Sequence, residues 1–330
     1  MKVIQKTEEN DIAIVYVAQS DNGRMMEFVE SVQPPYPIEE KWVLLVSTLF
    51  GCPVKCGFCD AGGNYKGKLS FEEMMFQIDY MIRRRFLSNT INVKKLKIQF
   101  ARMGEPSFNM NVVRVLEELP HRYNFETFIP SISTIAPSGT DRFFEKLLKI
   151  KNSLYRNNFQ LQFSIHSTDE KYRDFLMPIR KWDLKKISEY GECFYNENNR
   201  KITLNFALTQ DAILDPQILL KYFEPTKFLV KITPVNPTFK AKKNRIESYV
   251  QPHVGEYKVI DKLREIGFEV ILSIGVIEEN KIGSNCGQYV QAMLKGGNGL
   301  PGGYSYHYKM AEFDAGLSRP DIFPDYHKIK

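Results

Sequence analysis

Residues 51–59 read Gly-Cys-Pro-Val-Lys-Cys-Gly-Phe-Cys, so Cys52, Cys56 and Cys59 lie in one short loop with three and then two residues between them. Thiolates are the soft ligands that iron–sulfur clusters require, and this spacing lets one loop supply three of the four ligands of a [4Fe–4S] cluster. The fourth iron is then open to a cofactor or substrate. A structural zinc site and a disulfide loop are the other interpretations. Zinc needs a fourth ligand nearby, and the nearest histidine is His121.

Length and composition are those of an ordinary globular protein. The chain has 330 residues, 43% hydrophobic and 25% charged, which fits either two domains or one α/β barrel. It has no apolar stretch that could span a bilayer and no apolar signal segment, so we expect a cytoplasmic protein without membrane contact. Five cysteines fit a reducing compartment. The net charge of +6 is compatible with a phosphate-bearing partner but does not establish one.

Short apolar runs alternate with helical patterns along most of the chain. The runs are 42–46, 96–100, 127–133, 161–166, 202–208, 228–232 and 269–274. Helical patterns at 140–150 and 254–266 separate some of them, and Ser70 with Glu73 forms a capping-box pattern ahead of another helix. Strands alternating with helices predict an α/β fold with a parallel sheet. We expect a β hairpin extension in residues 1–40, the barrel in 41–290 and an irregular segment in 291–330.

Polar motifs follow the predicted strands at the points where they end. They are Met103-Gly104-Glu105-Pro106, Ser133-Thr134, Ser164-Ile165-His166 and Asn236-Pro237. Each motif alone is weak, since Gly-Glu-Pro is common in turns and a lone histidine is more often structural. The carboxyl ends of parallel strands meet at one edge of the sheet, where the cysteine loop also lies. The recurrence therefore predicts a single site at this edge.

The cysteine motif, with Phe58 before its last cysteine, resembles the signature of radical S-adenosylmethionine (SAM) enzymes. Residues 46–52, Val-Ser-Thr-Leu-Phe-Gly-Cys, and the motifs above are more narrowly similar to the branch that contains the ribosomal-RNA adenine methyltransferases. The resemblance implies a partial (β/α)6 barrel and a [4Fe–4S] cluster on Cys52, Cys56 and Cys59. It further implies that SAM binds the open iron and is cleaved to a 5′-deoxyadenosyl radical, with an electron from a donor such as flavodoxin or ferredoxin.

The same resemblance implies roles for individual residues in SAM binding. Gly104 and Glu105 are expected to bind its amino group, and Asn236 its adenine region. The remaining contacts, to the ribose and carboxylate, are expected from Ser133, Ser164, Ile165 and His166.

Two further residues match the family more loosely. Cys286, in Cys286-Gly287-Gln288, resembles the cysteine that accepts a methyl group from one SAM before a second SAM generates the radical that activates this methyl. Its other interpretation is a small buried residue near a turn. Glu30 resembles an upstream acidic residue that acts in proton transfer. The remaining cysteine, Cys193, lies in a helical pattern and is expected to be structural.

Two departures from the family bear on function. The family has a second catalytic cysteine seven positions before the first cluster ligand, where this chain has Leu45. The family also has an N-terminal RNA-binding domain, which we expect this chain to lack, because its family-like region begins close to the first residue. The leading expectation is methyl or methylene transfer to an RNA base. A radical SAM enzyme for a small molecule or peptide, without methyl transfer, is the alternative, and a non-catalytic cluster or zinc protein that binds RNA is a third.

Overall fold

The protein folds into a mixed ten-stranded sheet that packs against helices. The computed structural model describes residues 1–9, 12–32, 36–251, 257–274 and 289–290. The strands are β1 (Lys2–Glu9), β2 (Ala13–Gln19), β3 (Met25–Val32), β4 (Trp42–Val46), β5 (Thr90–Ile91), β6 (Leu96–Phe100), β7 (Asn124–Phe125), β8 (Phe128–Thr134), β9 (Gln160–Ser164), β10 (Ile202–Ala207), β11 (Phe228–Thr233) and β12 (Glu269–Leu272). The helices are α1 (Phe71–Arg85), α2 (Asn111–Arg122), α3 (Asp141–Ile150), α4 (Glu170–Leu176), α5 (Leu184–Phe194), α6 (Pro216–Tyr222), α7 (Phe239–Lys243) and α8 (Lys258–Glu265).

The strand order confirms the predicted α/β class. The sheet runs β1-β2-β3-β4-β6-β8-β9-β10-β11-β12, and every pairing from β4 to β12 is parallel. Helices connect the parallel strands, as crossover connections require. In the described ranges, no helix is both long and apolar enough to cross a membrane. The strands β5 and β7 form a separate two-stranded pair.

Lys97 on β6 and Lys231 on β11 point to the same face of the sheet, because each alternates with the buried core residues of its strand. We call this the inner face.

The two faces of the sheet differ in polarity. On β6, Leu96, Ile98 and Phe100 are fully buried in the core that the helices complete, and this is the outer face. Because side chains alternate along a strand, Lys97 and Gln99 point to the inner face.

The N-terminal extension is larger than the predicted hairpin. The hairpin of β2 and β3 is confirmed, and its turn contains Gly23 at φ +78°. A further strand, β1, pairs with β2 at the edge of the sheet. The sequence analysis did not predict it, because its lysines interrupt the apolar pattern. Charged residues are nevertheless typical of edge strands. The domain boundaries stay a prediction, and residues 291–330 lie outside the described residues.

The capping box ahead of α1 forms as predicted. The backbone N–H of Glu73 donates to Ser70 Oγ at 3.1 Å, and the N–H of Ser70 donates to Glu73 Oε2 at 2.8 Å. The helix buries the expected methionine-rich face, including Met74, Met75 and Ile78, against the outer face of the sheet. These methionines therefore serve core packing.

We predict that Ser70→Ala lowers the free energy of unfolding by about 1 kcal/mol, because the half-buried N–H of Glu73 at the start of α1 loses its acceptor. Chemical denaturation measures the change. Ser138→Ala, at an exposed turn position, is the matched control. Equal stability of the two variants would contradict the capping role.

Candidate active site

The cysteine loop follows β4 and is bonded to the loop that follows β6. The N–H groups of Thr48 and Leu49 both donate to Met103 O, at 2.8 and 3.1 Å. Gly51 has φ +76°, and a Cβ there would lie 2.6 Å from Gly63 O. Glycine is therefore required at the entrance of the loop.

The three thiols lie together at the edge of the inner face. Cys52 is buried, while Cys56 and Cys59 are half-buried. Burial, followed by the neighbouring Cys59 thiol, raises the pKa of Cys52 to about 12. Burial and then the charges of Cys59 and Cys52 likewise raise the pKa of Cys56, and burial raises that of Cys59. The thiols are thus close enough to oppose one another's ionisation.

This donor set fits an iron–sulfur cluster. Three adjacent buried thiolates need compensating positive charge, which the irons would supply. Backbone N–H groups of Val54 and Glu105 hydrogen-bond Cys52, and those of Ala61 and Gly62 hydrogen-bond Cys59, as is typical of cluster ligands. Within the described part of the chain, no three His, Cys, Asp or Glu side chains surround a single ion position. Ligands of a cluster bind different irons, so they need not converge on one point.

The Gly104-Glu105 motif lies directly beside the thiols. Gly104 has φ +102°, and a Cβ there would lie 2.5 Å from Leu49 Cβ, so only glycine lets the two loops approach. The Glu105 Oε1 atom accepts from the N–H and hydroxyl of Ser107, at 3.1 and 2.8 Å, and from Thr134 Oγ1 at 2.5 Å. Its Oε2 accepts one bond, from Ile135 N at 3.0 Å. A carboxylate oxygen has two lone pairs, so Oε2 can accept another donor.

His166 is fixed to the cysteine loop as a neutral imidazole. Its Nδ1 accepts from the Ala207 N–H at 3.0 Å, which leaves the proton on Nε2. Burial and then the charge of Arg173 lower its pKa to about 3. Its ring packs edge-on against Phe58 at 5.0 Å between centroids. The Nε2–H group is therefore a permanent donor at physiological pH.

Ser133 and Ser164 lie at the same edge, on neighbouring strands β8 and β9, and Ile165 directly follows β9. Ser133 Oγ accepts from Gln162 Nε2 at 3.2 Å. Ile165 is fully buried, and its N–H donates to Asn205 O at 2.9 Å. Only the backbone carbonyl of Ile165 is left for a ligand.

The loop after β11 clamps the cysteine loop through α7. The carboxylate of Asp60, the residue after the last cysteine, accepts from Phe239 N and Lys240 N, both at 3.0 Å. Thr238 Oγ1 donates to Phe58 O at 2.8 Å. Asn236 lies at the start of this clamp, where its carbonyl accepts from Thr238 N at 2.7 Å.

The sequence analysis missed Asp60 and Lys240. The charge of Lys240 acts on Cys56 and Cys59, where it favours the thiolates. Two features of the sequence could have indicated these residues. Asp60 directly follows Cys59, an expected cluster ligand, and Thr238 is a typical N-cap residue ahead of Lys240. Nothing in the sequence shows that these segments pair, because 180 residues separate the Asp60–Lys240 partners.

Glu30 does not lie with the other expected residues. It is on the outer face of β3, where it accepts from Tyr16 OH at 3.3 Å and pairs with Arg85. Because side chains alternate along a strand, Glu30 points away from the cysteine loop. The expected position of Glu30 at the site is thus corrected. The inward acidic side chain of this strand is Glu27.

Glu27 joins the site to the segment after Cys286. Its Oε1 lies 2.8 Å from Arg102 Nη2, and its Oε2 accepts from Tyr289 N and Val290 N at 3.0 and 3.2 Å. Cys286 itself lies outside the described residues. Leu45 packs in the same inner apolar cluster as Tyr289 and Val290.

Cys193 lies apart from this site. It is exposed on α5, in the helical layer over the outer face, and its expected structural role stays a prediction.

The chain is similar to proteins named as RNA methyltransferases. One named probable dual-specificity RNA methyltransferase RlmN, from Petrotoga mobilis, is 26% identical over 276 residues, which cover 82% of this chain and 73% of that protein. The dual-specificity RNA methyltransferase RlmN of Wolinella succinogenes is 26% identical over 89% of this chain and 81% of its own length. No protein-family model matches the chain.

A solved structure agrees with the fold. The crystal structure of a radical SAM methyltransferase from Sphaerobacter thermophilus matches with a TM-score of 0.62 at 20% identity, over 87% of this chain and 80% of that one. The relatives and the structural neighbour together support an enzyme of the radical SAM methyltransferase kind. The placement of the three thiols at the carboxyl edge of the parallel strands agrees with that assignment.

We predict that Asp60→Ala destabilises the protein by about 1–2 kcal/mol, because the first N–H groups of α7 lose a charged acceptor. Reconstituted protein should also lose iron to a chelator faster than wild type, since α7 no longer holds the Cys56–Cys59 segment. Asp211→Ala, at an exposed loop position, is the control. Iron retention equal to wild type would show that α7 does not support the cysteine loop.

Proposed function

We propose that the enzyme transfers a methyl or methylene group to an RNA base through a methylated Cys286, using a [4Fe–4S] cluster and SAM. The observation that carries the proposal is the contact between the cysteine loop and the Gly104-Glu105 loop. The backbone N–H of Glu105 donates to the Cys52 thiol, and Glu105 Oε2 can still accept one hydrogen bond. A ligand ammonium on Oε2 would lie beside the three thiols. The RNA substrate is supported by the printed names of the relatives.

The residues of this chain have distinct tasks in the proposal. Cys52, Cys56 and Cys59 would hold the cluster, which supplies the electron that cleaves SAM once a donor such as flavodoxin or ferredoxin has reduced it. Glu105 would accept from the SAM ammonium, and the Nε2–H of His166 would donate to an oxygen of SAM. Backbone carbonyls and hydroxyls of Ser133 and Ser164 would complete the polar contacts.

The assignment of Cys286 rests on chain connectivity as well as on its motif. It lies three residues before Tyr289, so their Cα atoms are at most about 11 Å apart. Tyr289 is held by Glu27 on the inner face, in the same apolar cluster as Met103 and the half-buried Cys59. That anchor supports a role for Cys286 near the cysteine loop.

The alternative is a radical SAM reaction on a small molecule or peptide without methyl transfer. Leu45 favours it, because leucine has neither the thiol nor the titratable group that the family uses at this position. Leu45 packs on the inner face in the same cluster as Met103 and Cys59, which supports a position of Leu45 near the site.

The decisive experiment is anaerobic reconstitution with iron and sulfide, followed by reaction with SAM and a reductant. We expect 5′-deoxyadenosine from wild type and from Cys193→Ala, and neither the product nor full iron occupancy from Cys56→Ala, because two thiolates do not retain the cluster. Mass spectrometry of wild type should show one methyl group on Cys286. Full iron occupancy in Cys56→Ala would refute the cluster assignment, and an unmethylated Cys286 would favour the alternative.

We predict that Leu45→Cys releases methylated product from a reaction that otherwise stalls. In the family route the second cysteine resolves a covalent bond between substrate and the methyl-carrying cysteine, a step that Leu45 cannot perform. The assay supplies excess SAM and candidate RNA, and it measures free methylated RNA against protein-bound RNA.

Val43→Cys is the control for that variant, because it places a thiol on the same face of β4 one pleat further from the cysteine loop. Release by Leu45→Cys alone supports the resolving position. Repeated turnover by the wild-type protein, without any trapped adduct, would show that Leu45 does not block the route.

A further inference from the structure

Glu27 is a fully buried carboxylate on the inner face of β3. Its side chain alternates with those of Met26 and Phe28, which lie in the core of the outer face. Met25 and Val29 share its face and pack in the inner apolar cluster. A buried charge is costly unless a partner and hydrogen bonds compensate it. The contacts that Glu27 makes therefore indicate its role.

The backbone of Glu27 is fixed to both loops of the site. Ser47 Oγ donates to Glu27 O at 2.5 Å and accepts from Met103 N at 3.1 Å. The N–H of Ser47 donates to Gln77 Oε1 of α1 at 2.8 Å. Ser47 precedes the cysteine loop, and Met103 precedes the residues Gly104 and Glu105 of the next loop. Glu27 thus has a defined position relative to both loops.

The carboxylate of Glu27 connects these loops to the segment after Cys286. Its Oε1 lies 2.8 Å from Nη2 of Arg102, which is also buried. Its Oε2 accepts from Tyr289 N at 3.0 Å and from Val290 N at 3.2 Å, which uses both lone pairs of that oxygen. Bonds from backbone N–H groups to an ionised carboxylate are stronger than those to a neutral acceptor.

Apolar packing alone does not account for this ion pair. Tyr289 and Val290 are both buried in the inner apolar cluster together with Met103. Apolar residues of similar volume are often as stabilising as a buried ion pair. The carboxylate adds direction, because two N–H bonds to one oxygen fix the backbone, whereas apolar contacts restrain it less specifically.

We propose that Glu27 and Arg102 are positioning residues that hold the segment with Cys286 at the cysteine loop. Cys286 lies three residues before Tyr289, so a displacement of Tyr289 would also displace Cys286. The inference rests on the proposed function, because it takes Cys286 to be the residue that accepts the methyl group. It adds the residues that determine where this thiol is presented.

Two double variants separate the acceptor from the ion pair. Glu27→Met/Arg102→Met replaces the pair by apolar side chains and removes the acceptor for the two N–H groups. Glu27→Gln/Arg102→Met also removes the pair but keeps a side-chain oxygen that can accept from them. Both variants lack the same two charges, so a difference between them reports the acceptor at position 27.

Hydrogen exchange followed by mass spectrometry measures the N–H groups of Tyr289 and Val290 directly. In reconstituted protein, we expect these groups to exchange at least about ten-fold faster in Glu27→Met/Arg102→Met than in wild type. Glu27→Gln/Arg102→Met should retain the wild-type protection, and unchanged exchange in β4 shows that the sheet is intact. Equal exchange rates at positions 289 and 290 in the two double variants contradict the positioning role.

A change on the other side of the bond leaves the ion pair in place. Val290→Pro removes one of the two donors, because proline has no N–H group. It should accelerate exchange at Tyr289 even if the Met double variant does not fold. Exchange at Tyr289 equal to wild type would overturn the proposal.

Methylation of Cys286 by SAM gives the functional readout. We expect at least about ten-fold less methylation in Glu27→Met/Arg102→Met than in Glu27→Gln/Arg102→Met, with equal iron content and equal 5′-deoxyadenosine formation in the two. Loss of product in both variants, with Cys286 methylated and both N–H groups protected, would assign Glu27 to proton transfer and refute positioning. If wild type carries no methyl group on Cys286, the proposed function fails, while the exchange rates still decide the role of Glu27.

Discussion

The buried thiols of Cys52, Cys56 and Cys59 impose the main electrostatic constraint on this protein. Thiols that raise one another's pKa cannot all ionise without compensating positive charge. The surrounding chain contributes to this compensation through backbone N–H groups of Val54 and Glu105 at Cys52 and through the charge of Lys240. A metal cluster would supply the remaining positive charge, which explains why three buried thiols that oppose one another's ionisation are held in one loop.

Parallel strands explain which parts of the site could be predicted. The motifs at Glu105, Ser133 and His166 each lie at or after the carboxyl end of a strand. Those ends are adjacent in a parallel sheet, whatever the conformation of the connecting loops. The Ser70–Glu73 box was equally predictable, because its partners lie three residues apart. Local rules and one topological rule therefore account for the positions that could be predicted.

The remaining features depend on contacts between distant segments. The Asp60–α7 clamp joins loops that are 179 and 180 residues apart, and the bond from Tyr289 to Glu27 spans 262 residues. Glu30 and Glu27 lie on one strand and differ by an odd number of positions, so a small error in alignment exchanges the inner and outer face. Sequence similarity located the strand, whereas the register of β3 on β4 decided which carboxylate faces the site.

The alternation that separates those two carboxylates also divides the inner face by charge. The edge with the thiols and Glu105 is acidic when ionised, while the space near Lys97 and Lys231 is cationic. Coulomb attraction therefore favours a cationic ligand at the thiol edge and disfavours it beside the two lysines. The inner face is thus polarised along its strands, so a ligand that carries positive charge binds most favourably where the parallel strands end, next to Glu105.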